Sequence, residues 1–387
     1  MSAALRLPSV ADLELGGKRV FIRADLNVPL SKGVVADDSR IRASLETLAF
    51  VRAHGGRVVL ASHLGRPKAA PDAKYSLAPV ARHMGLDLAP DCVGAEVEAR
   101  VAKLRDGDAI LLENLRFHAG EETNDPAFVA ELARLCDVYV NDAFGTAHRA
   151  HASTEGLAHV CREAAAGFLL LREVEALSRV RDQPEHPYVC ILGGAKVSDK
   201  LKVLEQLAQR ADAIAIGGAM AYTFLLARGE PVGRSLVERE LVEQARRLLS
   251  GKTEILLPVD HVVGASIDDS AGARTVDTIP DGAMALDIGP RSRAAIERRL
   301  ADAKTVFWNG PLGLFEKPPF DAGTRAVAEM LARSSAYTVV GGGDSLAAVQ
   351  AAGVGARISH LSTGGGASLE FLEGRPLPGV EALRSRS

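Results

Sequence analysis

Residues 337–349 read YTVVGGGDSLAAV. A short apolar run, 337–340, stops at three glycines. An acid and a serine come next, and then an alanine-rich stretch at helical spacing. The pattern predicts a strand, a tight turn and a helix. Three glycines add no packing and cost backbone entropy. They are expected where something approaches the main chain closely. A helix start offers N–H groups and a positive dipole end, which suits phosphate. Asp344 is then the difficulty, because an acid repels phosphate. It could merely cap the helix, or it could hold a cation that arrives with the phosphate.

The same device recurs outward in both directions. Short runs rich in Val, Ile and Leu alternate with helical stretches, which predicts parallel sheets built from βαβ units. The expected strands of the first half are 19–27, 57–63, 109–115 and 138–144. Those of the second half are 188–194, 213–218, 254–260, 305–310, 337–343 and 358–366. No fixed-period repeat indicates a solenoid. Residues 168–180, FLLLREVEALSRV, place Leu170, Val174 and Leu177 on one helical face. Two prolines come after it in DQPEHP and stop that helix. The expected layout is therefore a first domain 1–167, a connecting helix 168–183 and a second domain 184–371. The tail 372–387, rich in Pro and Gly, either packs back on the first domain or frays.

The two halves differ at the strand exits. In the first, the exits carry cations: Arg23, then His63 and Arg66 in SHLGRP, Arg116 in ENLRF, and His148, Arg149 and His151 in GTAHRAH. Arg40 sits where a helix begins, beside a surface Arg42. In the second, the exits carry glycines: GGAK, GGAM, NGPLG, GGGDS and STGGG. Loops leaving parallel strands share one rim, where ligands of open α/β sheets bind. Arginine forks and bare amides at helix starts both suit phosphate, by different physics. Lys196 and Lys200 are expected at a helix start, where the dipole disfavours lysine unless an anion is bound. His148 and His151 lack an evident third metal ligand and read as helper donors or structural groups.

Composition narrows the class. With 387 residues two domains are expected, and a net charge of −3 gives no global basic field for nucleic acid. MSAALRLPSV does not read as a signal peptide, and no apolar run is long enough to span a membrane. A cytoplasmic location is expected. Cys92, Cys136, Cys161 and Cys190 form no CxxC pair and read as buried reduced thiols. There is no Walker GxxxxGK[ST] and no well-placed GxGxxG, which weighs against a P-loop enzyme and a nicotinamide-dependent dehydrogenase. A non-enzymatic two-domain binding protein would leave Lys200 and Asp344 without a role.

RADLNVP, SHLGRP, LLENLRF, NDAFGTAHRAH, LGGAKVSDK, WNGPLG, GGGDS and STGGGASLEFLEG, in this order, resemble the phosphoglycerate kinase family over nearly the whole chain. Ala24, where that family more often has valine, and Ser345, where threonine is common, are small departures. The resemblance implies two Rossmann-like domains joined by a helix, with a ligand cleft between them. It implies a monomer that transfers a phosphoryl group reversibly between 1,3-bisphosphoglycerate and ADP, with Mg²⁺. It assigns Arg23, Asp25, Asn27, Arg40, His63, Leu64, Gly65, Arg66, Arg116 and Arg149 to 3-phosphoglycerate. It assigns Lys200, Gly217, Gly218, Asn309, Pro311, Glu316, Gly341, Gly342, Gly343, Asp344 and Ser345 to the nucleotide, with Asp344 at Mg²⁺ and Glu316 at the ribose. Arg40, Lys196, Lys200, Gly343 and Gly366 would act on the group in flight, with Gly364 and Gly365 beside Gly366.

Overall fold

The computed structural model describes residues 7–384. The chain divides into two compact units: Met1–Glu175 with Pro376–Ser387, and Ala176–Arg375. The division falls inside the helix Phe168–Asp182, so no loop separates the units there.

The first unit contains β1 (Arg19–Ala24), a short hairpin β2 (Leu30–Ser31) and β3 (Val34–Val35), β4 (Arg57–Ala61), β5 (Asp87–Leu88), β6 (Ala109–Leu111), β7 (Val138–Asp142) and β8 (Glu163–Ala166). Six of these form a parallel sheet in the order β5-β6-β4-β1-β7-β8. Its central strands are apolar on both faces because helices cover both. Val20, Ile22, Val58, Leu60, Val138 and Val140 are buried in one cluster with Ile41, Leu48 and Val51 of the helix Ser39–Ala53. The strand order reverses at β1, so the switch point opens at the exits of β1 and β7.

The second unit contains β9 (Tyr188–Leu192), β10 (Ala213–Ile216), β11 (Glu254–Leu256), β12 (His261–Gly264), β13 (Arg274–Val276), β14 (Met284–Ile288), β15 (Thr305–Asn309), β16 (Tyr337–Gly341) and β17 (His360–Ser362). Its parallel sheet has the order β11-β10-β9-β15-β16-β17. The switch point here lies between β9 and β15. Trp308, Val306, Val189 and Ile191 centre the core. Each of the ten expected strands is present, one to six residues shorter because the glycine and cation exits are loops.

Several elements were missed. The antiparallel sheet β13-β12-β14 lies in a stretch, HVVGASIDDSAGARTVDTIPDGAMALDI, whose polar middle masks its short strands. The edge strands β5 and β8 are too short, or too rich in alanine, to stand out. The tail is not structureless: Pro378–Arg384 is a helix, with Val380 and Leu383 buried three residues apart. It docks beyond β7, where Gly379 N–H donates to Ala147 O at 2.9 Å and Asn141 Nδ2 donates to Gly379 O at 3.3 Å.

Candidate active site

In the first unit, parallel strands deliver cations to one rim. Arg23 ends β1 and is almost fully buried. Its Nε donates to Ser153 Oγ at 2.8 Å, and its Nη2 lies 3.2 Å from His63 Nδ1. Arg116, buried in the turn after β6, donates to Gly65 O at 2.8 Å and faces Glu122 at 3.1 Å. Arg23, Arg116, Arg40 and His151 all act electrostatically on His63. Arg116, Arg23, Arg149 and His148 act on His151. The exits of β1, β4, β6 and β7 therefore converge, as the pattern of cations predicted. Arg66 is exposed on the SHLGRP loop.

Burial and these arginines settle the histidines. Desolvation, reinforced by Arg23 and Arg116, pushes His63 well below the usual histidine range. His151 falls to about 4 for the same reasons. Both are neutral at physiological pH; His63 Nδ1 faces Arg23, and His151 Nδ1 is buried without a hydrogen-bond partner among the described residues. One buried acid offsets the arginines. Glu121 accepts from Ser153 Oγ at 2.6 Å and Ser153 N–H at 3.0 Å, so Ser153 links it to Arg23. Burial pushes its carboxyl up, against the pull of Arg23. Glu121 lies in AGEETND, a run that reads as solvated surface, and nothing local marks it as buried.

Arg40, near the start of its helix, reaches back to Asp25. Its Nη1 donates to the two carboxylate oxygens at 3.0 and 2.9 Å, and to Asn27 O at 3.3 Å. Asn27 Oδ1 in turn accepts from Gly65 N–H at 2.9 Å. These residues, all expected at one ligand, thus form one hydrogen-bonded set without it. Leu64 is buried, and its carbonyl accepts from Asn114 Nδ2 at 2.8 Å. Asn114 was not singled out, although it also accepts from Arg116 N–H at 3.0 Å and fixes that turn. Arg42 pairs with Asp38 at the surface.

The glycines of the second unit fall into two kinds. At the switch point they exist because backbones touch. A Cβ on Gly193 would collide with Pro311 O, and one on Gly217 with Leu312. A Cβ on Gly218, whose φ is +66°, would sit 2.5 Å from Gly194 N and O. Their amides are also engaged: Gly193 with Asn309 O, Gly217 with Leu192 O and Gly218 with Leu312 O, at 3.0, 2.9 and 2.9 Å. The expectation of bare amides fails at these three. At Gly343, Gly365 and Gly366 a Cβ would meet nothing within 4 Å, so the space beside the backbone there is open. Gly341 and Gly342 lie against the Asn309 side chain.

Lys200 spans this switch point. Its Nζ donates to Gly193 O after β9 and, at 3.0 Å, to Asn309 O at the end of β15. Burial lowers it to about 8, against the attraction of Asp344 and Asp199. The next helix begins only at Leu201. Lys196 is therefore exposed in the preceding turn and not on a helix start, a correction to the sequence reading. The GGAKVSD stretch is held there by Glu238, whose carboxylate accepts from Ser198 N–H at 3.1 Å.

Asp344 occupies the first turn of the helix Gly343–Ala351. The cap is Gly342, with no side-chain capping bond, so the capping alternative does not hold. The carboxylate is exposed beside open backbone. Ser345 is buried and its Oγ accepts from Gly310 N–H at 2.6 Å, which ties the β15 exit to this helix. Glu316 is exposed on the loop after β15, and Pro311 is half-buried.

A phosphoglycerate kinase family model matches residues 10–375. The chain belongs to the phosphoglycerate kinase family. The phosphoglycerate kinase of Solibacter usitatus is 56% identical over 97% of this chain and 98% of that relative. That of Anaeromyxobacter sp. strain Fw109-5 is 55% identical over 98% of this chain and 100% of its own. The solved phosphoglycerate kinase of Coxiella burnetii superposes with a TM-score of 0.90 at 40% identity, covering 98% of this chain and 100% of that one. The chain is accordingly a kinase with two parallel-sheet units. Among its described residues, no helix is long and apolar enough to cross a membrane.

Proposed function

We propose that this chain catalyses the reaction of its family, reversible phosphoryl transfer between 1,3-bisphosphoglycerate and ADP, and that its two switch points divide the work. The observation that carries the division is Lys200, an ammonium held at the second switch point by the carbonyls of Gly193 and Asn309. In the first unit, Arg23, Arg116 and Arg149, with neutral His63 and the peripheral Arg66, bind the phosphate of 3-phosphoglycerate. Asp25 and Asn27 take its hydroxyl and carboxylate end, and Leu64 and Gly65 shape the loop beneath it. Arg40 leaves Asp25 to meet the group being transferred.

In the second unit, Gly217, Gly218 and Pro311 form the floor for the nucleotide base, and Glu316 accepts from the ribose hydroxyls. Gly341, Gly342, Gly343 and Ser345 line the phosphates with Asn309. Asp344 suits Mg²⁺, because its carboxylate is exposed, unused as a cap and beside open backbone. Bound there, Mg²⁺ would neutralise phosphate charge. Lys200, helped by Lys196, tracks the phosphoryl group, and the open backbone at Gly364, Gly365 and Gly366 receives it.

Little covalent chemistry is asked of the protein. A carboxylate oxygen of 3-phosphoglycerate attacks the γ-phosphorus, and the bond to the β-phosphate oxygen breaks. No general base is needed, because the attacking oxygen carries no proton. Alignment and charge neutralisation supply the rate, and exclusion of water protects the acyl phosphate. We further propose a cytoplasmic monomer that binds neither nucleic acid nor membrane. The test is a coupled assay with ATP, Mg²⁺, 3-phosphoglycerate, glyceraldehyde-3-phosphate dehydrogenase and NADH. Absorbance loss requiring all three reactants together is expected. No loss with active coupling enzyme refutes the reading, and gel filtration tests the monomer.

A further inference from the structure

We propose that Cys136 and Cys161 are a thiol-oxidation site, which a low-molecular-weight disulfide converts to an intramolecular bridge. The fold itself brings the pair together. β7 and β8 run parallel with Val138 opposite Glu163. Cys136 and Cys161 each lie two residues before these strands begin. Their sulfurs approach to 2.7 Å, and no disulfide joins them. Sulfurs already in contact need only a small shift to bond.

The pair is buried but not sealed. Cys136 is 8% exposed and Cys161 5%. Both border a surface depression of about 480 Å³, with Lys18, Asp137, Val160 and Arg162 around it. Val160, next to Cys161, is 56% exposed. A small reagent can enter there, past a rim on which Lys18 pairs with Glu163 at 2.8 Å and Asp137 with Arg19 at 2.7 Å. Cys92 and Cys190 are fully buried in their cores and act as internal controls.

The chemistry balances without any other component. The thiolate of one cysteine attacks a sulfur of the incoming disulfide, whose S–S bond breaks, releasing one reduced thiol. The second cysteine's thiolate attacks the protein sulfur of the mixed disulfide and expels the other reduced thiol. The protein loses two electrons and two protons, and both reach the released thiols. The hydrogen bond shared with Cys161, together with burial, holds the Cys136 thiol above its usual range. Oxidation is therefore slow at neutral pH. The bridge closes the segment that carries the exit of β7, Arg149 and Ser153, and stabilises it by restricting the unfolded chain.

The reduced full-length protein is incubated with oxidised glutathione, alkylated and digested with trypsin. Peptides 135–149 and 150–162 are expected joined, with two of the four thiols lost to titration in denaturant. The oxidised protein should melt higher than the reduced one by roughly 5 °C, and Cys161→Ser should abolish both effects. Separate glutathione adducts on the two cysteines would overturn the proposal. So would a bridge to Cys92 or Cys190, or thiols still unchanged when the incubation has reached redox equilibrium. The peptide linkage is read on the unsubstituted chain, so the test stands even where Cys161→Ser folds poorly.

Discussion

If Lys200 contacts the nucleotide as proposed, binding of ADP should be sensitive to mildly alkaline pH. Its ammonium is desolvated at the switch point, and burial brings it down to about 8 despite Asp344 and Asp199. A bound polyphosphate would favour the charged form and raise that value. Between the two values, each pH unit weakens binding up to tenfold, because a proton must be supplied before the phosphate is. The free ammonium is about nine-tenths protonated at pH 7 and about one-tenth at pH 9, so the Kd for ADP should rise about tenfold, or ~1.4 kcal/mol. The terminal phosphate of ADP is already ionised over this range, with a second pKa near 6, so the ligand adds no step. Calorimetric titration with ADP at pH 7, 8 and 9 measures this, and Lys200→Arg should flatten the profile. Stability moves the opposite way. The unfolded lysine holds its proton up to about 10.5, so the unfolded chain binds more protons between pH 8 and 10.5. This group therefore adds stability as pH rises through that window. A constant Kd from pH 7 to 9, or an equal rise in Lys200→Arg, would refute the reasoning.

Arg40→Ala should lower kcat about 10²-fold or more, as for loss of a transition-state donor. It should cost only about 1 kcal/mol in urea unfolding, since the pair with Asp25 is partly exposed; near-normal kcat in the purified variant would remove Arg40 from the mechanism. Glu121→Gln should destabilise the protein by about 2–3 kcal/mol, because it removes a buried charge beside Arg23 and Arg116. It should raise KM for 3-phosphoglycerate more than it lowers kcat, since it positions Arg23 through Ser153; steady-state kinetics separates the two. Gly218→Ala should cost at least about 2 kcal/mol, because its Cβ meets the Gly194 backbone at a positive φ. Gly343→Ala should cost less than about 1 kcal/mol and instead weaken ADP binding, which calorimetry and urea unfolding distinguish.

Where residues report their surroundings locally, the sequence was a sufficient guide. Val20, Ile22, Val189 and Ile191 sit in unbroken apolar runs because both faces of a parallel sheet are covered, and the strands are legible from them. The exits are legible too, because loops after parallel strands must share a rim. What was not legible depends on contacts far apart in the chain. GGAK and GGAM read as ligand loops, yet Gly193, Gly217 and Gly218 are glycines because Pro311 and Leu312, a hundred residues on, press against them. No local pattern tells a glycine that admits a ligand from one that admits another backbone. Glu121 is hidden for the same reason: its neighbours are acidic and polar, and only Ser153 and Arg23, brought by other strands, make it a buried partner. The docking of Val380 and Leu383 is likewise set by the exit of β7, not by the tail's own composition.

The two switch points offer an anion different chemistry, and on the proposed reading this separates the control of binding from the control of stability. In the first unit the charges are arginines, which keep their protons at any physiological pH. Burial and those arginines hold His63 and His151 neutral, so neither adds charge as pH falls toward 6. In the second unit one buried ammonium stands among carbonyls and titrates near 8. A pH effect on ligand binding above neutrality is therefore expected from Lys200, and not from the first unit. The acid side belongs to carboxylates that touch no proposed ligand. Burial raises Asp142, whose carboxylate accepts from Leu169 and Leu170 N–H at the start of the long helix, to about 6. It raises Asp287, which accepts from Gly323 and Ile288 N–H, to about 7. A raised carboxyl favours the folded chain when protonated, and that contribution is lost as pH rises from about 4, the unfolded value, to the folded values of about 6 and 7. These two acids hold backbone amides of helix starts and turns, so their titration acts on the scaffold while that of Lys200 acts on the ligand.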